Sequence, residues 1–164
     1  MAHFSIVVFP KDPEYLPAQP QVQAARGLLH DFFPDRENDS SQKATERPRL
    51  ITAGSNFESL DCPACGARIE QFELEEDDEG ETWWTRFEDS VLRSPDARSE
   101  SLTMPCCKAD VKAGDLRLGS DAAFARFELY LSDPGDGASL TSQQESQIGQ
   151  ALGAEVRHMI VVFG

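Results

Sequence analysis

The residues with the clearest chemistry in this sequence are its four cysteines: Cys62 and Cys65 in the run Cys62-Pro63-Ala64-Cys65-Gly66, and Cys106 and Cys107 behind Pro105. A Cys-x-x-Cys pair followed by glycine lets the backbone fold into a tight knuckle whose two thiolates face one ion, with the glycine relieving the strain of the turn. A tetrahedral site needs a second pair. Cys106 and Cys107 are the remaining cysteines, so a structural Zn2+ held by Cys62, Cys65, Cys106 and Cys107 uses every one of them and leaves no stray thiol. Adjacent residues on a strand point to opposite faces, so both can ligate only if the chain turns there. Pro105 before them and Lys108-Ala109-Asp110 after them favour such a turn.

Other chemistry is open to the same residues. If only one of Cys106 and Cys107 ligates, the fourth place falls to His, a carboxylate or water, and the chain becomes a zinc-dependent enzyme with an open metal site. The Cys62/Cys65 spacing also suits a thiol redox protein, although that motif belongs between a strand and a helix start, whereas here a strand follows. Reduced buried thiols or structural disulfides complete the alternatives, and disulfides do not suit a cytosolic chain.

A second set of residues points to recognition. Residues 70–81 hold Glu73, Glu75, Glu76, Asp77, Asp78 and Glu79 with no base among them, and Trp83 and Trp84 follow. Charge runs usually stay solvated. Aromatic anchors beside carboxylates nevertheless suit a protein interface, and two adjacent indoles on a helix cannot both face one core. The 164 residues carry 15 Lys+Arg against 29 Asp+Glu, a formal net charge of −14. That field repels phosphate backbones and anionic membranes, and no Lys/Arg cluster opposes it, so direct nucleic-acid and membrane binding are not expected. No apolar run approaches the ~20 residues of a spanning helix, and the opening residues lack a basic and apolar leader, so the chain reads as soluble and cytoplasmic. His3, His30 and His158 are scattered beside apolar segments and read as surface or sheet-edge histidines, with no Ser-His-Asp or Cys-His arrangement that sequence alone defends. Gly135-Asp136-Gly137 lacks the Lys-Ser/Thr of a phosphate loop and reads as a turn.

The elements that must position these residues follow from periodicity. Phe4, Ile6, Val7, Val8 and Phe9 predict a buried strand stopped by Pro10. Pro20 opens a helix whose stripe is Val22, Ala25, Leu29 and Phe32, closed by Pro34. Residues 35–46 predict a mobile loop, and Arg49-Leu50-Ile51-Thr52-Ala53-Gly54 a short second strand. Residues 124–131 predict a half-exposed strand, then a turn over residues 133–137. A capping box at Thr141/Gln144 or Ser142/Glu145 starts a helix with Leu140, Ile148, Ala151 and Leu152 on its apolar face. Gly153 stops it before a last strand centred on Met159, Ile160, Val161 and Val162. The two strand-helix-strand pairs predict an α+β, ferredoxin-like mixed sheet within one domain over residues 1–164, with both helices on one face. Residues 55–119 read as a zinc-ribbon-like insert. Within them, residues 67–74 predict a strand, Trp83 or Trp84 with Phe87, Val91 and Leu92 a helix ending before Pro95, and residues 101–104 a strand.

Asn56-Phe57-Glu58, the Cys62 knuckle, Leu102-Thr103-Met104-Pro105-Cys106-Cys107, Asp115-Leu116-Arg117 and the run Ala123-Phe124-Ala125-Arg126-Phe127 together resemble a group of uncharacterised small bacterial proteins with a split zinc-ribbon-like centre. The resemblance spans nearly the whole chain, and its specific part is the cysteine motifs. It implies a bacterial, cytoplasmic, metal-stabilised domain. Lys108 stands where a glycine is expected after the second pair. The function expected from these readings is a non-enzymatic, acidic, zinc-stabilised interaction module for a basic protein partner, of the kind that neutralises a secreted bacterial toxin.

Overall fold

The computed structural model describes residues 3–34, 40–135 and 137–163. In chain order the elements are β1 (His3–Pro10), α1 (Gln19–Phe32), β2 (Ser40–Thr52), β3 (Ser59–Asp61), β4 (Arg68–Glu70), α2 (Trp83–Arg93), β5 (Ser101–Thr103), β6 (Asp110–Lys112), β7 (Ala122–Ser132), α3 (Ser142–Leu152) and β8 (Val156–Phe163). Short 3-10 turns occupy Gln71–Glu73, Ala97–Ser99 and Ala113–Asp115. The chain divides into two compact units, Met1–Glu46 with Ala53–Asn56 and Ala125–Gly164, and Arg47–Thr52 with Phe57–Phe124. Among the described residues, no helix is long and apolar enough to cross a membrane.

The first unit is built on the four-stranded sheet, in the order β2-β7-β1-β8, with β1 antiparallel to both β7 and β8. This is the strand order of two split strand-helix-strand pairs, so the fold class is α+β and ferredoxin-like, as the periodicity predicts, although the pairings of β1 are antiparallel where a mixed sheet is expected. Register explains the core. Ile6 pairs with Leu131 and Ile160, and Val8 pairs with Leu129 and His158, so these side chains share one face. Ile6, Val8, Leu129 and Leu131 are buried in one cluster with Val22, Ala25 and Leu29 of α1 and Ile148 and Leu152 of α3. Both helices therefore cover the same side. Pro20 sits in the first turn of α1, where its missing N–H is no loss. The capping box of α3 is the Thr141/Gln144 one, and the helix ends at Gly153 with φ 83°.

Two expectations are corrected here. The polarity of residues 40–46 predicts part of a mobile loop, yet they are the first half of β2. An edge strand tolerates polar side chains because one margin faces water, and Arg126 fixes this one: its Nε donates to the Thr45 carbonyl at 3.0 Å. Residues 35–39, the rest of that loop, and Asp136 of the expected turn lie outside the described residues. The strand over residues 124–131 was expected half-exposed, but β7 is mostly buried, Glu128 included at 8% exposure. Its place between β2 and β1 leaves it no free edge.

The second unit has little regular structure. Two antiparallel hairpins, β3-β4 and β5-β6, use strands of three residues each. Hairpins this short are not stable alone in water. Their support is a cluster of Phe57, Leu60, Ile69, Trp84, Phe87, Val91 and Met104. The strand predicted over residues 67–74 shrinks to β4, after which the chain turns and leaves Phe72 77% exposed.

Candidate metal centre

Each cysteine pair sits at the tip of one hairpin, and the two tips are built alike. In the first, Cys62 N donates to the Ala67 carbonyl at 2.8 Å and Gly66 N to the Cys62 carbonyl at 2.9 Å. In the second, Met104 N donates to the Ala109 carbonyl at 2.9 Å and Lys108 N to the Met104 carbonyl at 3.0 Å. Met104 thus takes the place of Cys62, Pro105 of Pro63, Cys107 of Cys65 and Lys108 of Gly66. The left-handed position is kept, with φ 78° at Gly66 and φ 62° at Lys108. Lys108 adopts the conformation for which a glycine was expected, at the steric cost of a Cβ.

This correspondence explains the unusual second motif. At the position equivalent to Cys62 stands Met104, fully buried in the core of the unit, and Cys106 offers its sulfur from the position of Ala64. The turn separates Cys106 from Cys107 enough for both to reach inward. The sulfur of Cys106 lies 3.4 Å from that of Cys65, and the sulfur of Cys107 lies 3.9 Å from that of Cys62. All four sulfurs lie within 4.8 Å of one another. A tetrahedron with metal–sulfur bonds of about 2.3 Å has edges of about 3.8 Å, so the four cysteines can hold a metal ion. Cys62 is buried and the other three are exposed.

The electrostatics of the cluster are uneven. Burial pushes the Cys62 thiol up, but the backbone N–H groups of Cys65 and Ala64 and the sulfurs of Cys106 and Cys65 outweigh it and leave about 7. At Cys106 burial acts in the same direction as its neighbours Cys65, Cys62 and Cys107, and the thiol is pushed up to about 12. Four sulfurs packed this closely cannot all shed their protons without a cation to compensate.

The second set of residues behaves differently from a free acidic tail. Asp77 organises the loop, its Oδ1 accepting from Glu79 N at 2.9 Å and Glu81 N at 3.0 Å. Arg86 of α2 reaches into it, with Asp77 at 2.5 Å, Glu79 at 3.2 Å and Glu81 at 3.5 Å. The Arg86 guanidinium, with the N–H groups of Glu81 and Glu79, holds the Asp77 carboxyl below its ordinary range. Asp77 and Glu79 are therefore engaged within the chain, while Glu75, Glu76 and Asp78 are exposed. The two tryptophans do not part as the sequence predicts: both pack on the same apolar cluster, Trp84 inside it and Trp83 at its margin. Trp83 is half-buried, donates from Nε1 to the Thr103 carbonyl at 2.8 Å and stacks on Phe87 at 5.2 Å. Trp84 is 1% exposed against Phe57 and Phe87, with Nε1 donating to Glu88, so it is a core residue and not a surface anchor.

One constellation escaped sequence reasoning. His158 bonds at one ring nitrogen to Glu145 and at the other to Ser139. His158 lies on the edge strand β8, as its sheet-edge reading expects, but its partners come from α3 and the segment before it, which no local signal in the sequence reveals.

No protein-family model matches the sequence, and no curated protein matches it. Among solved structures, the Csm1–Csm4 cassette in complex with pppApApA is similar at 11% identity and a TM-score of 0.26, over 100% of this chain and 71% of that one, a likeness too slight to bear on function.

Proposed function

We propose that the four cysteines hold a structural Zn2+ and that the unit they close is an interaction module for a basic protein partner. The observation that carries the zinc reading is the convergence of four sulfurs from two knuckles of one design, at separations near a tetrahedral edge. Four thiolates fill the coordination sphere and leave no open position for water, so the metal acts by pinning the hairpins β3-β4 and β5-β6 rather than by chemistry. The same geometry argues against an open-site metalloenzyme, which needs Cys106 or Cys107 turned away. It also disfavours the redox reading, because Cys62 and Cys65 lie at a hairpin tip and not before a helix.

The partner reading is supported by the net charge of −14 and by Glu75, Glu76 and Asp78 on the surface of the same unit. Such a field speeds encounter with a basic surface. Exposed Phe72 and half-buried Trp83 supply apolar area beside those carboxylates. The test is elemental analysis of protein purified without a metal-chelating tag, with free thiols counted on the same sample. One zinc per chain is expected, with all four thiols unreactive until a chelator is added. Absence of metal, with reactive or disulfide-linked cysteines, would overturn the zinc reading. A pull-down from the native host is expected to yield a basic protein whose association weakens with added salt. The partner reading fails if nothing with that salt dependence is retained.

A further inference from the structure

The first unit contains a side-chain relay that involves none of the cysteines. His158 lies on the helix-facing side of β8, opposite Val8. Its Nδ1 is 2.5 Å from Oε2 of Glu145 in the first turn of α3, and its Nε2 is 3.1 Å from Oγ of Ser139. The capping box at Thr141 fixes where α3 starts and so where Glu145 stands. The side chains of His158 and Glu145 are 18% and 30% exposed, whereas Ser139 is exposed.

The bonding directions follow from the groups. An ionised carboxylate only accepts, so Nδ1 carries the proton toward Glu145 and Nε2 offers its lone pair to the Ser139 hydroxyl. A base held by a third group and aimed at a hydroxyl is the arrangement that activates serine as a nucleophile. An exposed hydroxyl has water for its hydrogen bonds, so satisfying Ser139 does not require this contact. Glu145 also faces a cleft of about 420 Å3 walled by Lys11, Gly149, Gly153, Glu155 and Val156, while Ser139 and His158 stand outside its lining.

We propose that Ser139, His158 and Glu145 form an acyl-transfer site that hydrolyses small carboxylic esters. Ser139 Oγ bonds to the ester carbonyl carbon as its proton passes to His158 Nε2. The tetrahedral adduct collapses, the carbon–oxygen bond to the alkoxide breaks, and the alkoxide leaves as an alcohol with the proton from Nε2. Water then attacks the acyl-serine, giving its proton to Nε2. The carboxylic acid departs and Ser139 recovers the proton. Glu145 is a positioning residue, which keeps the imidazole in one tautomer and stabilises it while charged. This site is independent of the metal, and it departs from the expectation of a non-enzymatic chain.

The full chain, metal-loaded as purified, is treated with a fluorophosphonate probe and mapped by mass spectrometry, alongside p-nitrophenyl acetate hydrolysis. A single adduct on Ser139 is expected, lost in Ser139→Ala, together with the esterase activity. His158→Gln is expected to lower the labelling rate by about 10²–10⁴-fold. Glu145→Gln is expected to slow labelling without moving the melting temperature, which a purely structural role would move. Ser139 is exposed, so its alanine variant should fold even if His158→Gln does not. Absence of an adduct on Ser139 in folded protein, or equal hydrolysis by wild type and Ser139→Ala, overturns the proposal.

Discussion

Lys108 shows how much a single residue can reveal about its neighbours. It holds φ 62° in a turn whose twin uses glycine, and L-residues lose roughly 1–2 kcal/mol in that region. Lys108→Gly relieves that strain, while the added freedom of the unfolded chain costs about 0.4–1 kcal/mol. The variant is expected to be more stable by a few tenths to about 1 kcal/mol, checked by denaturant melts of the metal-loaded protein. Glu128 carries the opposite kind of tension. Burial pushes its carboxyl above the ordinary value of 4.5, against the smaller opposing effects of its hydrogen bond with Tyr130 and the charge of Lys43. The folded chain then binds this proton more tightly than the unfolded chain, so Glu128 lowers stability as pH rises from its ordinary value through the raised one. Glu128→Gln removes that dependence. The stability of the variant relative to wild type is expected to be flat below about 4.5 and to rise above it, as measured by paired unfolding curves across pH. A difference that stays constant with pH would show that Glu128 titrates alike in both states.

At the scale of elements, the fold was legible wherever one local signal was enough. The Val22, Ala25 and Leu29 stripe, the capping box at Thr141 and the β-branched run of β1 each predict their element, and each is observed. The misreadings share a physical cause, which is that neighbours set exposure. Residues 40–46 look like loop because their side chains are polar, but an edge strand is defined by its backbone bonds to β7, and those are invisible in sequence. Glu128 suggests an outward face on β7, yet the strand carries buried residues on both of its faces, and what covers a face is not encoded in the strand's own pattern. The four cysteines were legible as a candidate metal site, and the turn that lets Cys106 and Cys107 converge is predicted by Pro105 and the polar residues after Cys107. The likeness of the two knuckles was not, because Met104 stands where the pattern would place a cysteine. The Ser139, His158 and Glu145 relay depends on the β1-β8 register, which no local signal encodes.

Across the whole molecule, two cores of different kinds coexist. The cluster under α1 and α3 shares no residue with the cluster around Trp84, Phe87 and Met104. The first is held by strands of eight residues or more, among them β1 and β8, paired over most of their length. The second depends on three-residue strands, and there a metal held as proposed by the four cysteines would contribute folding free energy directly. Metal removal should therefore loosen one unit and spare the other. Hydrogen exchange on the full chain, with and without a strong chelator, is the measurement that resolves this residue by residue. On chelation, amides of β3, β4, β5 and β6 are expected to lose protection, together with the α2 helix that packs on the same cluster, while amides of β1 and β8 keep theirs. Equal loss in both units would mean that the sheet cannot stand without the metal-closed unit. Unchanged protection throughout would mean that the apolar cluster around Trp84 is sufficient by itself, and that the four sulfurs do not hold the hairpins together.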